Sequence, residues 1–248
     1  MERDFAALDK QAMEEFERRS LVNDATPEKQ KEWQAALAEG LAHRVAQQKI
    51  ATLLEKKEMP VVAPFISDLM YDMSYEQLAA LVKPEHVYYD YPCMAMAKRH
   101  LASMEKKRPG LQYTDLTFND PEGKEHKLSD YVGKHKLVLI DFWASWCGPC
   151  RREMPVVVES YQRFRDKGYE IVGVSFDNKA DAWKGAIKQM NMTWPQLSDL
   201  KGWQCAAAEP YGVMSIPSNI LVDEKGVIVA ADLRGQNLIK KLEELLGK

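Results

Sequence analysis

The chain has 248 residues, which at ~150 residues per domain suggests one or two domains. Hydrophobic residues make up 46% and charged residues 29%, enough apolar material for a real core and too much for wholesale disorder. With 34 Lys and Arg against 37 Asp and Glu the formal net charge is −3, which gives no electrostatic footprint for nucleic acid or an anionic membrane; the four cysteines are too few for a disulfide-built scaffold.

The opening segment MERDFAALDKQAMEEFERRS has no uninterrupted apolar stretch and no small-residue cleavage site, so it is not a secretory signal. Two readings of the start stay open: a cytoplasmic protein beginning at Met1, or an exported one whose leader or leading domain lies upstream. Phe5, Leu8, Ala12 and Phe16 form a stripe at helical spacing. Asn23 and Asp24 punctuate, and Thr26-Pro27 reads as an N-cap followed by Pro at the first helical position. A long helix is expected next, with Trp33, Leu37, Leu41 and Val45 on one face, Leu53 and Leu54 near its end, and Pro60 as its stop. Val62, Phe65, Ile66, Leu69, Met70 and Met73 form another stripe, and Ser74 with Gln77 offers a capping box for a short helix through Val82, broken by Pro84. Met94, Ala97, Leu101 and Met104 mark a last helix ending at Arg108-Pro109-Gly110. The many Met and Leu residues of this half read as ordinary core.

After Gly110 the period changes. Tyr113–Phe118 alternates like a strand, Asp120-Pro121-Glu122-Gly123 reads as a turn and Leu128–Val132 as a short helical turn. Lys136–Trp143 is a continuous apolar strand suited to a sheet interior. The apolar run through Trp146 is interrupted by Asp141 and is far shorter than the ~20 residues a membrane span requires. A helix from Cys147 to about Lys167, a strand Glu170–Phe176 and a helix around Ala180–Met190 follow. Ser218–Val222 and Val227–Ala231 are strands joined by the hairpin signal Asp223-Glu224-Lys225-Gly226, and Leu238–Leu246 closes as an amphipathic helix. The expectation is an α/β domain with a mixed sheet over residues 111–248, preceded by an all-α region over 1–110.

Trp146-Cys147-Gly148-Pro149-Cys150 carries the chemistry. The first cysteine falls where a buried strand gives way to a helix, and helix N-terminal N–H groups favour a thiolate there. The second lies one turn on, within reach of a disulfide, so Cys147 can attack a substrate disulfide and Cys150 can resolve the mixed disulfide. Three alternatives compete. A zinc half-site needs a second ligand pair, but Cys93 and Cys205 stand alone and the five His are scattered. A c-type haem site needs His after the second Cys, where Arg151 stands. A purely structural disulfide would not call for a strand-to-helix position.

DFWASWCGPCRREMP, with the entry segment Leu116-Thr117-Phe118-Asn119-Asp120, the lead-in Leu128–Trp143 and the later Ser215-Ile216-Pro217-Ser218, resembles the TlpA/ResA-like thiol-disulfide oxidoreductases, an AhpC/TSA-related bacterial group with the thioredoxin fold. The likeness spans about residues 111–248. The helical region before it is similar to the segment that precedes the redox domain in exported proteins of Bacteroidetes-like bacteria. The resemblance implies that Cys147 is the nucleophile and Cys150 the resolving thiol. It implies that Pro217 is the cis proline of the fold, and that the Ile216 backbone pairs with substrate by strand addition. Pro155 matches the proline that kinks the active-site helix, costly there without a role.

Asp141 matches the buried Asp of thioredoxins. Glu153 matches an acid of the ResA-like branch, whose members often lack the Asp. Possession of both departs from the pattern and leaves two candidates for the base that takes the Cys150 proton. Asp141 is ranked first, because a lone carboxylate in an apolar strand is expensive without a role. Trp146 is expected beside Cys147 on the substrate surface, Trp143 in the core, and Trp183, Trp194 and Trp203 as packing.

The expected activity is reduction of protein disulfides through the Cys147/Cys150 pair, with no cofactor beyond that pair and no metal. Gly-Pro between the cysteines resembles thioredoxin, at ~ −270 mV, more than oxidising DsbA at ~ −120 mV. The partners implied are protein disulfide substrates and an upstream thiol electron donor, without nucleic acid, and with a membrane only through an anchor upstream of Met1. The resemblance implies an extracytoplasmic place, periplasmic or membrane-anchored, and oligomeric state has no signature in the sequence. Two other readings are a peroxiredoxin-like thiol peroxidase, which lacks its Thr before Cys147, and a scaffold protein with a vestigial redox module, against which the intact cysteine pair argues. Cys93 and Cys205 are expected to be free, buried thiols without a catalytic part.

Overall fold

Thr26 Oγ1 accepts the Lys29 N–H at 3.4 Å and Pro27 takes the first turn, so the helix starts where the cap and proline place it. The computed structural model describes residues 1–21 and 26–247; the Asn23-Asp24 punctuation lies outside the described residues. The chain divides into two units, Met1–Leu101 and Ala102–Lys248.

In the first unit α1 (Glu2–Arg19) buries Phe5, whose ring meets Phe65 edge-on at 5.1 Å. In α2 (Pro27–Glu55), Leu37, Leu41, Val45, Ile50 and Leu53 are buried. Trp33 departs from the expected face: it stays partly exposed, and its indole N–H donates to the Arg19 carbonyl at 2.7 Å. Lys49 pairs with Asp9 at 2.7 Å, tying α2 to α1. The helix ends before Pro60, which opens a single 3-10 turn leading into α3 (Ala63–Leu69). In α4 (Tyr75–Leu81) both halves of the capping box form: Ser74 Oγ accepts from Gln77 N at 3.2 Å, and Gln77 Oε1 accepts from Ser74 N at 2.8 Å. Ser74→Ala is expected to cost about 1 kcal/mol, read as a lowered denaturation midpoint.

The division between the units falls after Leu101, inside α5 (Met94–Glu105), and the break at Pro109-Gly110 lies within the second unit. The last turn of this helix belongs to the second unit and is bonded within it. Ser103 Oγ donates to the Gly212 carbonyl, and Gly110 N donates to the Ile228 carbonyl at 2.8 Å. Gly212 has φ 59, and a Cβ there would stand 2.8 Å from Ser103 O, so the close approach requires glycine.

Among the described residues of the second unit, seven strands form one sheet: β1 (Thr117–Asn119), β2 (Glu125–Lys127), β3 (Leu137–Trp143), β4 (Tyr169–Ser175), β5 (Gln196–Ser198), β6 (Ser218–Asp223) and β7 (Ile228–Ala231). Their order is β2-β1-β5-β4-β3-β6-β7, with β3, β4 and β5 parallel and the other neighbours antiparallel. Every residue of β3 is buried, as its apolar sequence, interrupted only by Asp141, suits a strand covered on both faces. The helices are α6 (Gly148–Phe164), α7 (Ala180–Gln189) and α8 (Gln236–Leu246). This is the expected mixed α/β sheet with helices, preceded by a helical region.

Two differences stand out. Tyr113–Leu116 is not part of a strand: Tyr113 N bonds to Gly226 O at 2.9 Å, and the Leu116 carbonyl takes Leu128 N at 3.0 Å, so these groups do not enter a ladder. The strands β2 and β5, three residues each, have no legible period.

Candidate active site

Cys147 is the N-cap of α6, with φ −79 and ψ 101, and its Sγ accepts the Cys150 N–H at 3.1 Å. Pro149 occupies the first turn, where its missing N–H leaves no bond unmade. The two cysteines are joined as a disulfide, with Cα atoms 5.3 Å apart. Both cysteines are buried, Cys147 at 4% and Cys150 at 1% exposed. The loop between β3 and α6 is fastened by a residue the sequence reading missed. Buried Asp177 accepts Ser145 N–H at 2.8 Å and Ser145 Oγ–H at 2.5 Å, and also the Ser175 hydroxyl at 2.7 Å. No motif surrounds Asp177; its partners come from two segments that only the fold brings together.

The Ile216–Pro217 peptide is cis, and Ile216 O lies 3.6 Å from Cys147 Sγ. Among the described residues, Ile216 N–H and C=O enter no backbone hydrogen bond. The far side of this loop rests on charge. Arg234 donates to the Pro217 carbonyl, and Lys107, itself buried, pairs with Asp232 at 2.6 Å and donates to Ser218 Oγ at 2.9 Å. Ser218 Oγ–H in turn donates to Asp232 at 2.7 Å. Burial works to raise the Asp232 carboxyl, but Lys107, Ser218 and Arg234 outweigh it and hold the carboxyl below the usual range.

Asp141 sits inside β3, opposite Gly173 of β4 and Asn219 of β6. The residue is buried, 4% exposed. Burial pushes its carboxyl up to about 7; the Arg234 charge opposes that shift and the Glu153 charge adds to it. Glu153 is half-buried on α6, and its Oε1 accepts the Gly235 N–H at 2.6 Å. The two acids thus share one electrostatic neighbourhood. Pro155 lies inside α6.

Trp143 is in the core, its N–H bonded to Gln196 Oε1 at 3.1 Å, and Trp183 and Trp194 are buried as expected. Trp203 is not packing alone. It is half-exposed and its ring lies 6.0 Å from that of exposed Trp146. Cys93 and Cys205 are both free thiols. Cys205 is buried, and burial pushes its thiol up to about 12. Cys93 is exposed, contrary to expectation, because Met94 beside it takes the core position at the start of α5. Among the described residues no group of three or more His, Cys, Asp or Glu could hold a metal ion, and no helix is long and apolar enough to cross a membrane.

A family model described as the AhpC/TSA family matches residues 109–231. The thiol-disulfide oxidoreductase ResA of Bacillus cereus is 32% identical over 149 residues, covering 60% of this chain and 83% of that protein. Among solved structures, the thioredoxin domain of a thiol-disulfide oxidoreductase from Bacteroides vulgatus is 37% identical, with a TM-score of 0.52 over 56% of this chain and 98% of that one. A thiol:disulfide interchange protein from Bacteroides sp. is 35% identical, with a TM-score of 0.53 over 58% and 93%.

Proposed function

The chain belongs to the TlpA/ResA-like thiol-disulfide oxidoreductases, and on that premise we propose that its second unit reduces protein disulfides through a Cys147/Cys150 cycle. The observation that carries this reading is a disulfide at a helix N-terminus beside an unpaired backbone segment. In the reduced protein the Cys147 thiolate attacks one sulfur of the substrate disulfide, forming a mixed disulfide and releasing the other sulfur as a thiolate. Cys150 then gives up its proton and attacks Cys147 Sγ. The substrate leaves with both sulfurs reduced, and two electrons have passed to it. Cys147 and Cys150 are left as the disulfide, which an upstream thiol donor must reduce. The cysteine pair is the redox group, and no other cofactor enters the cycle.

Ile216 presents the backbone on which an extended substrate segment pairs, Pro217 shapes the loop that carries it, and Trp146 lines the approach to Cys147. Asp141 is the main acceptor for the Cys150 proton: it is buried and raised into the range where a carboxylate takes and returns a proton near neutral pH. Glu153, held by Gly235 N, tunes Asp141 through its charge. The compartment is extracytoplasmic, by the likeness to exported relatives.

Turnover of insulin disulfides in the presence of dithiothreitol tests the activity. The wild type is expected to accelerate it, and a variant with both Cys147→Ser and Cys150→Ser to match the uncatalysed rate. Equal rates for the two proteins would leave a scaffold role instead. Consumption of hydrogen peroxide with no insulin turnover would favour the peroxidase reading.

A further inference from the structure

Trp203 stands in the turn Gly202–Gln204, between β5 and the loop that carries Ile216. Core tryptophans of this unit are 3% exposed or less, whereas Trp146 is 53% and Trp203 50% exposed. One exposed indole needs no explanation. Two, ring to ring and beside a redox disulfide, do. Their planes are tilted by 56° at 6.0 Å, so the rings form an open notch and not a closed stack.

The notch is built and not left over. Trp203 packs edge-on against buried Phe176 at 5.5 Å. Asp177, next in the chain, holds the Trp146 side by accepting both Ser145 donors with its carboxylate. It holds the Trp203 side with its backbone carbonyl, which accepts Gly202 N at 3.3 Å. Gly202 has φ 58, a conformation that admits glycine easily. One buried residue therefore sets both rings. Exposed Met214 adds apolar surface on the segment leading to Ile216.

Building on the disulfide-reductase reading, we propose that Trp146 and Trp203 form a subsite for an aromatic or large apolar side chain close to the substrate's cysteine, so that the enzyme selects extended polypeptides bearing such a neighbour. Continuity with the site fixes the occupant. Trp146 adjoins Cys147, the Ile216 backbone runs past the same sulfur, and an extended chain advances about 3.3 Å per residue. A side chain one or two residues from the attacked cysteine thus reaches the rings. Indole faces favour offset or edge-on contact with another ring.

The test uses the full chain, reduced and in excess, against two disulfide-cyclised decapeptides that differ only in Phe or Gly on either side of one cysteine. The wild type is expected to reduce the Phe peptide about five-fold faster than the Gly peptide. Trp203→Ala should bring that ratio close to one, and Trp203→Phe should keep most of it. Because the ratio is internal to each variant, a loss of folded protein does not imitate the result. A wild-type ratio of one overturns the subsite, as does a Trp203→Ala ratio equal to that of the wild type or equal loss on both peptides. A self-dimer in sedimentation that buries Trp203 would overturn it too. If the wild type reduces neither peptide, the reductase reading itself fails.

Discussion

Cys147→Ser is expected to lower disulfide exchange by ~10³-fold or more, while Cys150→Ser should accumulate covalent mixed disulfides with substrate. The two outcomes differ because the sulfurs stand differently. Cys147 caps α6, and its sulfur already accepts the Cys150 N–H. In the reduced protein the same N–H and the N-terminal end of the helix stabilise the Cys147 thiolate, so its pKa should lie below the unperturbed ~8.5. A hydroxyl in its place cannot ionise near neutral pH and cannot attack. Cys150, more deeply buried, meets substrate only through Cys147, so its loss stops the cycle after the first bond exchange. Intact mass under non-reducing conditions reads the trapped species, and alkylation rate against pH reads the Cys147 thiolate. Normal turnover by Cys147→Ser would remove the assignment, as would a trap formed by Cys147→Ser and not by Cys150→Ser.

The parts of this protein written in local sequence were legible before the structure. The Thr26-Pro27 start, the Ser74/Gln77 box and the apolar run of β3 each act through neighbours in the chain, and each stands where expected. The same holds for the cysteine pair at a strand-to-helix junction. What escaped depends on tertiary partners. Strands β2 and β5 are too short for a period and exist through their sheet neighbours, β2 through β1 and β5 mainly through β4. The compact units divide inside α5, ahead of the strong local break at Pro109-Gly110, because Ser103 in the last turn of that helix bonds to Gly212, a partner no local pattern announces. Nothing in the local sequence marks Lys107; only Asp232 and Ser218, more than a hundred positions on, make it a buried support of the Pro217 loop. Asp177 and Trp203 escaped for the same reason.

Asp141→Asn should leave stability unchanged near pH 4 and raise it by about 4 kcal/mol at pH 8, measured on the disulfide form by denaturant unfolding. The folded carboxyl is pushed by burial to about 7, whereas in the unfolded chain it titrates near ~3.9. Between those values the folded protein keeps a proton that the unfolded chain has lost, so the wild type loses this stability as pH rises from about 4 to about 7. Asparagine carries no charge and does not lose it. The difference between variant and wild type isolates this residue from acids such as Asp232, whose carboxyl is shifted the other way. Function should move oppositely. Without its acceptor Cys150 must lose its proton to water, so Asp141→Asn should slow resolution of the mixed disulfide about a hundredfold at neutral pH and make the rate climb with pH. Glu153→Gln removes a neighbouring negative charge that adds to the Asp141 shift, so it should move the rate profile toward lower pH without abolishing it. An unchanged profile in Asp141→Asn together with a lost one in Glu153→Gln would reverse the two roles. A variant that gains no stability at pH 8 would show that Asp141 is ionised at little cost, and with it the reason for ranking it first would be gone.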